Sequence, residues 1–392
     1  MTTLGSPSHE HELLLLLARR ALTPERQERA RFLALRGISW SGLTRQAVTH
    51  GVFPLVCRNL ERLEWCAVPG EARTELMAAS RLNAAQNALW SHELIDLLRI
   101  FQSAGLRVIP LKGVALAKSL YGEIALRVCS DLDVLVPRDA VAESFRLLLV
   151  HGYGHAERYR VESADVDRLL DSNMEYGFRG RNTGFEYLLE LHWDIAWRWR
   201  ADTRMMDDLW ADARPGAVLG ADTWTLSPEW ELLYLAVHAA RHRWSALKWL
   251  VDIHEVCVRG GFDWAVVEDR AQRFGLERAL YLSLGACRAL LGTPLPPGLE
   301  GQAPPRRLRV LAGAPVTVGG WGEALSAVRL FRRPADKLRY LGRLLLQPAL
   351  AERQLIRLPP GLQFLYYPLR PVRLGIASSW SMVRAGLGRL HL

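Results

Sequence analysis

Two stretches decide the fold of this 392-residue chain: Leu111-Lys-Gly-Val-Ala-Leu116 and Arg127-Val-Cys-Ser-Asp-Leu-Asp-Val-Leu-Val136. The first closes an apolar run that is typical of a short buried strand, and it leads into a predicted helix at residues 114–121. In the second, Asp131 and Asp133 alternate with apolar residues. Because successive side chains of a strand point to opposite faces, this pattern predicts a strand with one buried face and one acidic face.

A third strand is predicted at residues 187–195, where apolar and polar side chains alternate again. Its polar face carries Glu190, His192 and Asp194. A predicted helix that begins after Pro137 separates it from the second strand. The order strand, helix, strand, helix, strand is that of a small α/β or α+β domain.

Helical regions flank the predicted sheet on both sides along the chain. The first hundred residues show helical periodicity, including one long helix at about 70–104, and residues 228–291 return to that pattern. Five prolines and three glycines in residues 292–305 mark a linker. The predicted organisation is an N-terminal helical region (1–105), an α/β core (106–215), a helical domain (216–292), and a linker with a basic helical C-terminal region (293–392).

Composition excludes several classes of protein. With 49% hydrophobic and 23% charged residues, the chain is too apolar for a disordered protein. No 18-residue window lacks a charge, so we expect no membrane-spanning helix. The first residues carry no basic segment of a secretory signal, which favours a cytoplasmic protein. Five cysteines without a C-x-x-C pair favour buried free thiols over a zinc site or disulfides.

The net charge of +9 is concentrated in the tail. Residues 301–392 contain 15 basic and 3 acidic residues, whereas the first 300 residues contain 35 basic and 38 acidic ones. A predicted basic amphipathic helix in the tail carries Arg329, Arg332, Arg333, Arg339 and Arg343 beside Leu330, Leu338, Leu341 and Leu345. This segment either binds an anionic partner or a membrane surface, or packs on the body of the protein through its leucines.

Asp131 and Asp133 carry the strongest chemical signal. Two aspartates two residues apart on a strand bring their carboxylates within bridging reach of one cation, and without a cation such a pair is unfavourable in a core. Glu190 can supply a third carboxylate, and Gly113 at the strand-to-helix junction lets phosphate approach backbone N–H groups. Three carboxylates that hold Mg²⁺ against a triphosphate are the minimal equipment for two-metal nucleotidyl transfer.

The two opening stretches, with Tyr121-Gly122 and Gly152-Tyr153, resemble a bacterial nucleotidyltransferase-like family of the DNA polymerase beta-type nucleotidyltransferase superfamily. Further matching pieces are Trp40-x2-Leu43, Pro54-Leu55, Leu189-Glu-Leu-His-Trp193 and Leu247-Lys-Trp-Leu-Val-Asp252, so that the resemblance covers residues 10–290. It implies an α+β fold in which a small mixed sheet is embedded in a mainly helical protein.

The resemblance also implies an enzyme that transfers a nucleoside monophosphate from an NTP, expected to be ATP, to an unidentified acceptor. Asp131, Asp133 and Glu190 are then catalytic and hold two Mg²⁺ ions. Two features depart from the family pattern: Val114 stands where a glycine or serine usually follows Gly113, and the spacing from Gly113 to Asp131 is longer than usual. The alternative function is a non-catalytic descendant that binds a nucleotide or a partner through the same groove.

The predicted nucleotide-binding residues are Lys112, Gly113, Arg127 and Lys248. Each charged side chain among them has a structural alternative. In the structural alternative, Lys112 is a solvated lysine at a strand end, and Arg127 forms an ion pair with Asp131. Lys248 in turn pairs with Asp252 one helical turn away.

Two alternatives concern other possible ligands. Asp194 shares the strand face of Glu190 and is the alternative third carboxylate. His238 and His242 are four residues apart but lack the glutamate of a zinc-binding H-E-x-x-H helix. A helix face that happens to carry histidines is therefore favoured over a zinc site.

Overall fold

The computed structural model describes residues 8–156, 160–161, 165–182, 185–196, 203–299 and 327–375. Within these ranges a five-stranded mixed sheet and a two-stranded sheet are embedded among helices, which confirms the predicted α+β class. None of the helices in the described ranges has both the length and the apolar character needed to cross a bilayer.

Five helices precede the sheet: α1 His9–Leu17, α2 Pro24–Ala34, α3 Trp40–Thr49, α4 Phe53–Arg62 and α5 Gly70–Ser103. The first three begin at capping residues. Ser8, Thr23 and Ser39 each accept a hydrogen bond from a backbone N–H of the first turn. The long helix α5 begins and ends within one residue of its predicted limits and leads directly into the first strand.

In the described ranges seven strands follow, and the first five form the larger sheet. They are β1 Ile109–Pro110, β2 Leu132–Leu135, β3 Gly154–His155, β4 Glu175–Asn182, β5 Phe185–His192, β6 Arg214–Val218 and β7 Ala221–Thr225. The order is β1-β2-β5-β4-β3, with β6 paired to β7. Strands β2 and β5 run parallel, and their register places Asp133 beside Glu190.

The strand pattern of the sequence predicts β2 and β5 but not β4. Gly177 and Gly180 weaken the β propensity of β4, although Tyr176 and Phe178 alternate with Gly177 and Arg179. Strand β5 ends at His192 and not at residue 195 as predicted, because the next two backbone N–H groups both donate to the carbonyl of Met174.

The remaining helices lie between and after the strands. They are α6 Gly113–Leu116 with a π turn at Ala117–Tyr121, α7 Val141–Val150, α8 Val166–Ser172, α9 Arg204–Asp212, α10 Pro228–Arg241, α11 Leu247–Arg259, α12 Trp264–Phe274, α13 Glu277–Leu291, α14 Pro334–Leu346 and α15 Leu350–Leu355. Short 3₁₀ turns occupy Ile124–Leu126, Arg138–Ala140 and Pro360–Leu365.

The two faces of the larger sheet have different surroundings. The apolar face of β2 and β5 packs on α5 and α7, and its residues there are at most 2% exposed: Leu132, Val134, Leu189 and Leu191. The opposite face presents Asp133, Glu190 and His192 toward α10. The predicted division into one buried face and one acidic face is confirmed.

A second apolar core joins the N-terminal helices to α10–α13. Leu13 and Leu17 of α1 belong to the same buried cluster as Leu250 of α11 and Leu280 of α13. Segments that are distant in sequence thus share one core. The division of the chain at residues 105, 215 and 292 stays a prediction.

The tail contacts the body, but not through all the leucines that the sequence indicates. Leu338 of α14 is 71% exposed, so the packing that the sequence allowed for it is wrong, whereas Leu345 is 37% exposed. The inward stripe instead contains Tyr340, which is buried against Phe331, and Leu344 one turn later. The rest of the predicted basic tail, residues 300–326 and 376–392, lies outside the described residues.

Candidate active site

Lys112 lies between the two aspartates of the opening stretches. Its Nζ is 3.0 Å from Asp131 Oδ1 and 2.6 Å from Asp133 Oδ2. Burial by itself would lower the pKa of Lys112, but Asp133 and Asp131 raise it well above its ordinary value. The lysine is therefore a buried counter-ion, and its interpretation as a solvated strand-end residue is wrong.

Gly113 allows the chain to turn sharply beside this ion pair. Its φ of +65° is one that residues with a side chain rarely adopt. A Cβ at this position would also lie 3.4 Å from the backbone carbonyl oxygen of Asp131. The glycine therefore brings the end of β1 and the start of β2 together.

His192 connects three carboxylates on the acidic face of the sheet. Its Nε2 is 3.1 Å from Asp133 Oδ1 and 3.6 Å from Glu190 Oε2, and its Nδ1 is 3.1 Å from Glu175 Oε2. Burial would lower the pKa of His192, but Glu175 and the hydrogen bonds to the three carboxylates raise it well above its ordinary value. The imidazolium thereby orients all three acids.

Glu175 is a site residue that the sequence analysis missed, because β4 was not predicted. Its carboxylate accepts two hydrogen bonds from the guanidinium of Arg241 on α10, at 3.0 and 3.2 Å. Burial would raise the pKa of Glu175, but His192 and Arg241 hold it well below its ordinary value. The alternation of Tyr176 and Phe178 directly after Glu175 is the signal that could have revealed this strand.

The carboxylates of the site differ in their exposure to solvent. The Asp133 side chain is fully buried, whereas Asp131, Glu190 and Glu175 are 19%, 27% and 29% exposed. The hydroxyl of Ser130 donates to Asp131 at 3.2 Å. Asp133 is thus fixed at the base of the site, and the other carboxylates can reach a ligand from solvent.

One group of ligand atoms in the described part of the chain can hold a metal ion. It consists of Asp133, Glu190 and His192, whose ligand atoms lie within 4.8 Å of one another. Carboxylate oxygens suit Mg²⁺, whereas His192 can ligate a metal only after its Nε2 has lost its proton. Asp131 is not in this group, but it shares Lys112 with Asp133.

Asp194 is oriented differently from Glu190. Its Oδ1 accepts hydrogen bonds from the backbone N–H groups of Ile195 at 2.9 Å and Ala196 at 3.3 Å. Because its carboxylate closes the turn after β5, the geometry favours Glu190 as the third carboxylate.

Arg127 lies in a separate buried cluster. Its guanidinium donates to Asp252 at 3.0–3.2 Å, and Tyr121 donates its hydroxyl proton to the same carboxylate at 2.8 Å. Arg127 and Asp252 are 4% and 1% exposed. The pairings of Arg127 with Asp131 and of Lys248 with Asp252 that the sequence allowed are wrong. Binding of nucleotide by Arg127 stays a prediction.

Lys248 reaches the loop before β2 from the start of α11. Its Nζ donates to the carbonyl oxygen of Val128 at 3.3 Å, and its backbone N–H donates to the carbonyl of His50. Burial, with the nearby charges of Arg127 and Lys112, lowers the pKa of Lys248 to about 8. Asp131 acts in the opposite direction. The lysine is thus a cation near the acids without a carboxylate partner among the described residues.

Helix α10 presents aromatic and imidazole rings near the acids. His238 and His242 lie 4.6 Å apart, and His242 stacks on Trp249 at 4.8 Å. Burial and Arg241 lower the pKa of His242 to about 4, so its ring is neutral. Neither histidine belongs to the potential metal group found among the described residues.

Two asparagines of α5 hold the segment that precedes β2. The side-chain amide of Asn83 donates to the carbonyl of Ala125 at 2.8 Å, and that of Asn87 to the carbonyls of Ile124 and Arg127 at 2.6 and 2.8 Å. Sequence analysis missed them. Two asparagines four residues apart within an otherwise apolar helix stripe are the signal for buried amides with backbone partners.

A family model described as uncharacterised nucleotidyltransferase matches residues 36–292 of the chain. This range contains all the predicted site residues. No curated protein and no solved structure shows a significant match.

Proposed function

The chain belongs to the uncharacterised nucleotidyltransferase family, and on that premise we propose that it is a Mg²⁺-dependent nucleotidyltransferase. In this proposal it transfers a nucleoside monophosphate from an NTP, with ATP as the expected donor, to an acceptor. The observation that carries the proposal is the convergence of three carboxylates, Asp131, Asp133 and Glu190, on one partly open sheet face.

These three carboxylates would hold two Mg²⁺ ions, which when bound supply positive charge to the triphosphate and activate the attacking group of the acceptor. The chain itself supplies the orientation. His192 fixes Asp133 and Glu190, and Glu175 fixes the imidazole through Nδ1. These two residues are positioning residues, since they act through the carboxylates.

We assign triphosphate binding to the positive charges beside the acids. Lys248 approaches from α11, and Lys112 contacts both aspartates. Gly113 keeps the backbone close to Asp131. Arg127 supports the loop from behind through Asp252, so its effect on nucleotide binding in this proposal is indirect.

Two assays test the proposal. Titration calorimetry with Mg·ATP measures nucleotide binding. Incubation with each α-³²P-labelled NTP and a cell extract, combined with measurement of released pyrophosphate, detects transfer. Asp133→Asn is the matched inactive control, because it removes one charge and keeps the shape of the side chain. Label transfer that is equal in this variant would overturn the assignment.

A specific observation favours the second candidate function, a non-catalytic nucleotide- or partner-binding protein. Both oxygens of Asp133 already contact a cation, Lys112 on one side and His192 on the other, and Val114 occupies the position after Gly113. In such a protein Mg·ATP binds without release of pyrophosphate under any acceptor condition. In the enzyme, an extract that contains the acceptor gives release.

A further inference from the structure

A small cavity adjoins the acidic face at the start of β4. It has a volume of about 240 Å³, and we call it the arginine pocket, after Arg241, Arg343 and Arg370 in its wall. Glu175 belongs to this wall as well as to the candidate active site. Only the imidazole of His192 separates Glu175 from Asp133, so the cavity begins one side chain away from the proposed chemistry.

The outer wall of the arginine pocket comes from the tail. Tyr340, Arg343 and Leu344 of α14 line it together with Gln347, whose side chain donates to the carbonyl of Asp171 at 3.1 Å. Arg370 donates to the carbonyl of Leu344 at 3.3 Å. The bond of Gln347 holds the tail against α8, whereas that of Arg370 lies within the tail, and tail residues thus form one wall of the cavity.

The arginines of the pocket are not equally neutralised. Arg241 pairs with Glu175 and Arg370 with Glu352. Among the described residues, no ion pair or side-chain hydrogen bond engages the guanidinium of Arg343. Arg339, one turn earlier on the same helix, is exposed and pairs with Asp336. Arg343 therefore lines the cavity without an ion-pair partner among the described residues, together with two arginines that are paired.

We propose that the arginine pocket binds a phosphate group of the acceptor, so that the transferase modifies a phosphorylated acceptor. This inference rests on the proposed function. A planar guanidinium matches the geometry of phosphate, and charge-assisted hydrogen bonds of this kind are about twice as strong as neutral ones. Water occupies about 30 Å³ per molecule in the liquid, so the cavity has room for a phosphate and part of the group that carries it.

Inorganic phosphate is the probe for a first experiment on the full chain. Titration calorimetry at constant ionic strength is done with wild type, Arg343→Gln and the control Arg339→Gln, and is repeated with saturating Mg·ATP. We expect phosphate to bind wild type and the control equally, and Arg343→Gln at least about tenfold more weakly, which is the loss of about one charge-assisted bond. Phosphate and Mg·ATP should bind together. The melting temperature of each variant shows that it is folded.

Three results would overturn the inference. Equal binding by wild type and Arg343→Gln would remove the role of Arg343, and displacement of phosphate by Mg·ATP would place the phosphate in the triphosphate site. Acetate that binds as strongly as phosphate would remove the preference for a phosphorylated acceptor. Failure of the proposed function looks different: Mg·ATP then either does not bind wild type or binds without release of pyrophosphate in any extract, whereas the phosphate result is unaffected. Arg343→Lys, which keeps the charge but not the planar fork, should recover part of the affinity.

Discussion

Two ionic clusters beside the loop before β2 differ in their exposure to solvent and in their balance of charge. The Asp252 cluster contains Tyr121, Arg127 and Asp252, which are at most 4% exposed and satisfy one another. The carboxylate site contains four acids and three cationic groups: Asp131, Asp133, Glu175 and Glu190 with Lys112, His192 and Arg241. Three of its acids reach solvent. A balanced, sealed cluster stabilises the fold, whereas an open cluster with surplus negative charge is equipped to bind cations.

The largest effect should come from the buried acid of the carboxylate site. Asp133→Asn should abolish nucleotidyl transfer, because it removes the carboxylate that shares Lys112 with Asp131 and His192 with Glu190. The fold should survive with a similar melting temperature, since Lys112 keeps Asp131 and His192 keeps Glu175 as partners. Radiolabel transfer and thermal denaturation measure the two properties. Transfer at the wild-type rate would show that this cluster is not the reaction centre.

The equivalent change in the sealed cluster should act on stability. Asp252→Asn leaves the buried guanidinium of Arg127 without its carboxylate, and removal of one partner of a buried ion pair costs about 3–5 kcal/mol. Urea denaturation measures the loss in the free energy of unfolding. Asp96→Asn, in an exposed pair with Arg99, is the control and should cost less than about 1 kcal/mol. If Asp252→Asn were as stable as the control, the contrast between the clusters would fail.

Another two variants test whether Glu190 or Asp194 is the third carboxylate of the site. Glu190→Gln should lower the turnover number by orders of magnitude, because Glu190 lies beside Asp133 in the sheet and near His192. Asp194→Asn should change turnover little, because an amide oxygen can still accept from the N–H groups of Ile195 and Ala196. Steady-state kinetics measure the turnover number of both variants. The opposite ranking would move the third carboxylate to Asp194.

Lys248 lies between the two clusters, and its charge should make nucleotide binding depend on pH. The pKa of Lys248 is lowered to about 8, so the free protein loses this charge above that pH. A bound triphosphate favours the protonated form, and binding must then take up a proton. Affinity for Mg·ATP should therefore fall as pH rises above 8, by up to about tenfold per pH unit.

Calorimetry at pH 7.0, 8.0 and 9.0 measures this dependence. In Lys248→Arg, whose guanidinium stays charged throughout, the fall should be absent. A pH dependence that is identical in both proteins would assign the proton to another group.

The sequence predicts part of the carboxylate site but not the Asp252 cluster, because only the carboxylate site rests on a local pattern. Strand alternation correctly places Asp133 and Glu190 on one acidic face, because period 2 is a local property of the chain. Asp131 lies just before β2 and is joined to Asp133 through Lys112. Arg127 and Asp252 are 125 residues apart, and no local pattern connects them. Glu175 was missed for another reason: its strand contains glycines in place of β-branched residues.

The same distinction applies to the tail. Leucines at helical spacing correctly predict a helix, but Tyr340 and Leu344 face inward while Leu338 is exposed. Which face of an amphipathic helix is covered depends on the partner surface, here Phe331 and the end of α8 at Asp171. The helical periodicity of the sequence does not identify the surface that covers the helix.

The smallest effect should separate the members of the sealed cluster from one another. Tyr121→Phe removes one hydrogen bond to Asp252 but leaves the bonds from Arg127. Because the charge of Asp252 stays compensated, the free energy of unfolding should fall by about 1.5 kcal/mol, the lower end for a bond to a charged group. This is at most half of the loss expected for Asp252→Asn. Urea denaturation measures it, and transfer per folded molecule should be unchanged. A loss of transfer at unchanged stability would instead join Tyr121 to the carboxylate site, and the two clusters would then be one.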